Sequence, residues 1–296
     1  MNFGEILTAM VTPFDEHGDI DFNATRNLVS HLIDNGSDGL VVAGTTGESP
    51  TLSTEEKVEL FKFVVDIVDN RVPVIAGTGS YNTKASIELT RLAEKVGVDG
   101  VLLVVPYYNK PSQEGLYQHF KAIAESTSLP CVLYNIPGRS VINMSVETTI
   151  RLAQIPNIVS IKDASSNLDD MAEIIEHTPE NFTVYSGDDS VTLPLLSIGG
   201  TGVISVASHI VGNEMKEIIS KFKAGNYQEA AAIHRRLLPV FNGLFTSPNP
   251  TPVKAALSLK GIPVGDVRLP LVPLTEEEIE TLKITLEKAN VLMKVN

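Results

Sequence analysis

A single cysteine, Cys131, occurs in the 296 residues, so no internal disulfide can form, and its place in the apolar run CVLY marks it as a buried thiol. That usage fits a reducing compartment. Basic residues are also scarce. There are 23 Lys plus Arg against 36 Asp plus Glu, a formal charge of −13, and no basic block interrupts the balance. Nucleic acid and anionic membrane surfaces are thereby disfavoured as partners. No window approaches the ~20 apolar residues of a membrane span. The N-terminal MNFGEILTAMVTPF has neither the basic region nor the longer apolar stretch of a signal peptide. These absences lead to the expectation of a soluble, cytoplasmic protein. Metal-ligand spacing is missing too: the six histidines form no HxH or HExxH pattern, and the Asp188–Asp189 pair has no nearby imidazole. No metal is expected, and the GDD run reads as loop polarity.

What is present is apolar material for a substantial core, 43% hydrophobic against 20% charged. Eight short runs rich in β-branched residues recur along the chain: ILTAMV, GLVVAG, VPVIAG, GVLLVV, CVLYN, IVSIKD, FTVYSG and GVISV. Such runs suit strands covered on both faces, and the segments between them are long enough for crossover helices. Ser53 followed by Glu56 has capping-box spacing, and Thr83–Val96, ending at Gly97, has one apolar face. Repeated right-handed β/α alternation closes most naturally into an α/β fold of the (β/α)8 TIM-barrel type, with a doubly wound open sheet as the rival. From about Glu214 the pattern is helical with no further strand. The domain expectation is a barrel over 1–213 and a C-terminal helical extension over 214–296 packed on it.

In such a barrel the chemistry sits at the carboxyl ends of the strands. Those positions hold Gly44–Ser49 (GTTGES), Pro106–Ser112 (PYYNKPS), Tyr134–Arg139 (YNIPGR), Lys162–Asp163, Ser186–Asp189 (SGDD) and Ile204–Ser205. Lys162 ends a strand read as otherwise apolar at its inward positions, so it would project into a partly dehydrated cavity, which favours a neutral amine able to attack a ketone. The bland alternative is a lysine that snorkels to the rim or pairs with Asp163. Tyr134 could exchange protons beside an imine if Thr45 and Tyr108 supply a relay, or it could be an amphipathic core residue. GTTGES could form an anion-binding nest or be an ordinary glycine-rich loop. Arg139 could receive a carboxylate bidentately or make a surface ion pair.

Taken together and in this order, GTTGES, PYYNKPSQEGLYQHFKAIAE, YNIPGR, IVSIKD, YSGDD and GVISV resemble the pyruvate-dependent class I aldolase family that includes dihydrodipicolinate synthase and N-acetylneuraminate lyase. The resemblance runs over nearly the whole length. It implies that Lys162 forms an imine with pyruvate and that Tyr134 shuttles protons. Thr45 would link Tyr134 to Tyr108, a side chain that in this family crosses a subunit interface into the neighbouring site. Thr45 and Thr46 would hold the pyruvate carboxylate, Gly187 and Ile204 would line the pocket, and Arg139 would bind the carboxylate of the second substrate, L-aspartate 4-semialdehyde. No cofactor is implied, because the lysine imine is itself the electron sink, and a homodimer or homotetramer is expected.

The rival within the family, a lyase for a long sugar acid, is disfavoured by an arginine after YNIPG. An inactive binding or regulatory relative is disfavoured by the intact catalytic positions. At the interface site where lysine-sensitive relatives carry a histidine, an asparagine and a glutamate, this chain keeps Ser49 and Tyr107 but has Lys57, Tyr81 and Ala85. Feedback by L-lysine is therefore expected to be absent.

Overall fold

Eight strands alternate with helices: β1 (Ile6–Ala9), α1 (Phe22–Asp34), β2 (Gly39–Val42), α2 (Thr54–Val68), β3 (Val74–Gly77), α3 (Thr83–Val96), β4 (Gly100–Val104), α4 (Gln113–Ala124), β5 (Cys131–Asn135), the single turn α5 (Pro137–Ser140), α6 (Val146–Leu152), β6 (Ile158–Asp163), α7 (Leu168–His177), β7 (Thr183–Ser186), α8 (Thr192–Ser197) and β8 (Gly202–Ser205). This is a computed structural model, and it describes residues 3–292. All neighbours pair in parallel, and β8 returns to β1 with Leu7 opposite Ile204, so the sheet is a closed barrel. Closure decides between the two topologies open to the sequence: the fold is a (β/α)8 barrel.

Each strand buries both faces, because every second residue faces the barrel lumen and the others face the helices. The lumen holds a compact cluster including Leu7, Val41, Ile75, Val132, Tyr134, Tyr185 and Ile204. The larger cluster lies between sheet and helices and includes Leu40, Val42, Leu103, Leu133 and Ile161. Local signals place the helices. Ser53 Oγ accepts from Glu56 N at 3.2 Å while Ser53 N donates to Glu56 Oε2 at 2.7 Å, which completes the capping box of α2. Asn82 caps α3, and Gly97, in the left-handed region at φ +88°, ends it.

Beyond β8 the chain is helical, with α9 (Ser208–Lys223), α10 (Tyr227–Gly243), α11 (Thr251–Leu259) and α12 (Glu276–Lys288). Residue 213, the expected end of the barrel, lies inside α9. Three glutamates and a second capping box, Thr275 with Glu278, start α12, which stops at Lys288. The helical segment read from the sequence ran on through residues 293–295, which lie outside the described residues. Among the described residues no helix is long and apolar enough to cross a membrane.

Candidate active site

Strand register fixes the centre of the site. Lys162 on β6 is opposite Tyr134 on β5 and Tyr185 on β7, and both tyrosines belong to the lumen cluster, so all three side chains share the inward row. Ile161 just before packs outward. Lys162 is 5% exposed, and its ammonium stands 4.3 Å from the centroid of the Tyr134 ring. The snorkelling and ion-pair alternatives both fail. Lys162 makes no ion pair among the described residues, and the Asp163 carboxylate is engaged elsewhere, accepting from Ser165 N at 2.7 Å and Asn135 Nδ2 at 3.2 Å. One detail of the sequence reading needs correction. Ser160, two residues before Lys162 and hence on its face, is polar; its hydroxyl is satisfied by donation to Thr183 O at 2.8 Å.

Above this row opens a cavity of about 210 Å³ whose walls include Thr45, Tyr107, Tyr134, Ile136 and Arg139. Thr45 belongs to a tight turn in GTTGES, closed by Glu48 N donating to Thr45 O at 3.1 Å and Ser49 N donating to Gly44 O at 3.2 Å. Thr46 lies behind the wall, buried, with its hydroxyl accepting from Asn249 Nδ2 at 2.9 Å. Gly77 also lines the cavity, and a Cβ there would stand 2.4 Å from Ala43 O, so the loop after β2 can pack over β3 only because that position is bare.

Arg139 is carried on α5 at the cavity wall, exposed and with no ion pair among the described residues. The turn that carries it is held by Ser140 Oγ donating to Ile136 O and Ile142 O, both at 2.8 Å. Asn135 ties the following segment down, donating to Asn143 Oδ1 at 2.7 Å and accepting from Met144 N at 3.0 Å. A guanidinium left free beside a cavity is suited to a bidentate carboxylate.

Gly187 follows β7. Its N–H donates to Asp163 O at 2.6 Å, and a Cβ would meet that of Ala164 at 2.7 Å, so only glycine allows the approach. Ile204 lies in the lumen cluster. Asp189, read from the sequence as loop polarity, is buried. It accepts from Ser205 Oγ at 2.5 Å, Ala207 N at 2.9 Å and Val206 N at 3.3 Å, tying the loop after β7 to the end of β8. Burial pushes its carboxyl up to about 6, against the lowering effect of those donors. Asp188 caps its own turn by accepting from Ser190 N at 2.8 Å. Among the described residues no group of three or more His, Cys, Asp or Glu is placed to hold a metal ion.

The two adjacent tyrosines part company. Tyr107 lines the cavity, half-buried, and burial raises its phenol above the usual value. Tyr108, the relay member expected from the resemblance, is 90% exposed at φ +68° and points away from this chain's cavity. Within one chain, then, Tyr134, Thr45 and Arg139 gather around the cavity, Lys162 stands against the Tyr134 ring without itself lining that cavity, and Tyr108 stands outside it. Sequence reasoning left open whether Tyr107 or Tyr108 faces the relay, quoted Glu48 only as a letter of GTTGES, and missed Asn249 and Lys254 behind that loop. Asn249 and Lys254 belong to no motif, since they meet the loop only once the C-terminal helices have packed.

Comparison with known proteins agrees with the fold. Residues 2–289 match the profile of the dihydrodipicolinate synthetase family. The 4-hydroxy-tetrahydrodipicolinate synthase 1 of Halalkalibacterium halodurans is 67% identical, with 97% of each chain covered. A crystal structure of a dihydrodipicolinate synthase from Bacillus anthracis is 60% identical and superposes with a TM-score of 0.96 over 97% of this chain and 98% of that one. One from Cyanidioschyzon merolae, with lysine bound, is 50% identical with a TM-score of 0.96 over 98% and 99%. With the barrel closed, the lysine in register with its tyrosine and the profile matched almost end to end, the chain belongs to the dihydrodipicolinate synthetase family.

Proposed function

We propose that this chain is a lyase that condenses pyruvate with L-aspartate 4-semialdehyde to give 4-hydroxy-tetrahydrodipicolinate, on the route to diaminopimelate and lysine. The observation that carries the reading is Lys162 held inside the barrel, without a carboxylate partner among the described residues and over the ring of the in-register Tyr134. An unpaired, buried amine is equipped to add to a ketone.

In the proposed sequence the Lys162 amine adds to the keto carbon of pyruvate, and water leaves to give a protonated imine. Loss of a methyl proton yields the enamine, whose terminal carbon attacks the aldehyde carbon of the semialdehyde. The semialdehyde amine then attacks the imine carbon and expels Lys162, closing the ring with one water lost overall. Tyr134 moves the protons, relayed through Thr45 to a Tyr108 supplied by a neighbouring copy. Thr45 and Thr46 receive the pyruvate carboxylate, Gly187 and Ile204 shape the floor, and Arg139 receives the carboxylate of the semialdehyde. The imine is the electron sink, so the reading needs neither metal nor organic cofactor.

The reading extends to a homodimer or homotetramer working in the cytoplasm, with the barrel and its C-terminal helices as two structural parts of one subunit. The same lysine and tyrosine would serve an N-acetylneuraminate lyase, but an exposed, unpaired Arg139 suits a short acceptor that carries a carboxylate. The test is product formation from pyruvate plus aspartate semialdehyde, with N-acetylneuraminate as the competing substrate, alongside borohydride trapping of pyruvate read by mass. Trapping at Lys162 with turnover of the semialdehyde is expected. Cleavage of N-acetylneuraminate alone would move the assignment to the sugar-acid lyases, and no adduct at all would leave an inert binder.

A further inference from the structure

We infer that Glu48 and Lys254 are a positioning pair for keto-acid binding, a charge pair buried behind the cavity that sets the turn carrying Thr45 on the cavity wall and Thr46 just behind it. The inference rests on the pyruvate reading of that cavity.

Glu48 is an unusual residue for its place. Its backbone is left-handed at φ +55°, a region that disfavours any residue with a Cβ, yet the position is a glutamate and its side chain is only 1% exposed. Two contacts from the C-terminal part of the chain hold it there. Its Oε1 lies 2.8 Å from Lys254 Nζ, and its Oε2 accepts from Arg268 N at 2.9 Å. Lys254 on α11 is itself buried, 3% exposed. Its ammonium donates to Asp266 O at 2.8 Å and stands 4.2 Å from the centroid of Phe14.

Stability alone is a poor reason for this arrangement. Replacing a buried ion pair with apolar side chains of similar volume is often neutral or stabilising, and Phe14 already provides an apolar wall. The location supplies a better one. Because Glu48 N closes the turn onto Thr45 O at 3.1 Å, a shift of Glu48 is transmitted to Thr45. Neutral ties back up the charged one: Asn249 Nδ2 donates to Thr46 Oγ1 at 2.9 Å, and Thr12 Oγ1 donates to Gly47 O at 2.7 Å. The helices after the barrel thus reach the substrate loop from behind while touching no part of the cavity.

The experiment titrates pyruvate in borohydride trapping, read by mass, and measures steady-state KM for each substrate. It compares the parent with Glu48→Gln, Lys254→Arg, Lys254→Met and the double Glu48→Gln/Lys254→Met, at a temperature where circular dichroism shows each folded. Pyruvate at half-maximal trapping is expected to rise at least about tenfold in the single variants, with KM for the semialdehyde within about twofold of the parent. The neutral double variant should recover melting temperature, since no charge is left unpaired, without recovering the pyruvate half-saturation. Lys254→Arg, which keeps the charge and alters its reach, carries the test if the other single variants do not fold. A double variant whose half-saturation returns to the parental value with its melting temperature would make the pair a stability element only and overturn the inference. So would parental half-saturation in Lys254→Arg. A parent protein that traps no pyruvate would overturn the substrate reading instead.

Discussion

At the scale of single residues, Lys162 and Arg139 share a lack, a carboxylate partner among the described residues. Lys162→Ala should abolish the trapped pyruvate adduct while leaving the circular dichroism spectrum unchanged, because the side chain makes no ion pair among the described residues that the fold would lose; an adduct that persists elsewhere would displace the nucleophile. Arg139→Ala should raise KM for the semialdehyde far more than that for pyruvate, since only the second substrate's carboxylate would lose its guanidinium partner. Equal losses for the two substrates would place Arg139 in another role. Tyr108→Phe removes one hydroxyl from the proposed relay and should lower kcat by roughly 10²–10⁴-fold, with Tyr107→Phe much milder. The reverse order would hand the relay to the tyrosine that lines this chain's own cavity. For feedback, Lys57 is decisive. It is half-buried on α2, and that burial lowers its pKa against the pull of Glu56. A diamine ligand would meet this like charge and, at Ala85, no carboxylate, a juxtaposition that costs several kcal/mol where every ~1.4 is tenfold in affinity. Millimolar L-lysine should therefore leave the initial rate unchanged, and saturable inhibition well below a millimolar would refute the charge argument.

At the scale of elements, the junction of β8, α9 and the loop after β7 makes stability depend on pH. His209 on α9 is buried with both ring nitrogens committed: Nδ1 lies 2.8 Å from Val206 O and Nε2 accepts from Val11 N at 3.1 Å. Only the neutral ring with its proton on Nδ1 satisfies both contacts, and burial lowers its pKa to about 4. His119, buried between α3 and α4, is lowered by burial to about 4 as well. Folded values below the unfolded value mean that stability is lost as pH falls from about 6.5 towards 4, about 2 kcal/mol per histidine by pH 5. Asp189 acts in the opposite direction. Raised to about 6 by burial, it contributes stability that is full below about pH 4 and lost as pH rises through 6, offsetting roughly 1 kcal/mol at pH 5. Denaturant unfolding at pH 7 and pH 5 should show a net loss on acidification, and His209→Gln should shrink it by about two-thirds. A parent equally stable at both values would refute the balance.

These elements also show what a sequence discloses. The strands, the capping box of α2 and the whole of α3 were legible because their signals are local: period, cap and terminal glycine. The strand-end positions of Lys162 and Tyr134 were legible from the runs they close, but the residues alone left each between a working and a packing role, and the family resemblance was what singled them out. Asp189 was not, since its partners lie on the next strand, and neither was the Glu48–Lys254 pair, which forms only once α11 has docked. The choice between Tyr107 and Tyr108 stayed open because two adjacent tyrosines in a loop carry no period to say which one faces inward.

At the scale of the whole molecule, the C-terminal part of the chain holds the loop after β2 through Asn249, Lys254 and Arg268. Removing α10 to α12 should therefore do more than trim the surface. Tyr108 extends the same logic beyond one chain. It is turned outward and 90% exposed. If it serves the site of a neighbouring copy, two dead chains can rescue each other. A Lys162→Ala chain still presents a sound tyrosine, and a Tyr108→Phe chain still has a sound nucleophile. Mixed and reassembled in equal amounts, half the dimers would be hybrids with one complete site each, recovering about a quarter of parental activity. Mixing each variant with itself should recover none. Complementation of this kind would make the unit of function the pair of chains and the single polypeptide only half of a site.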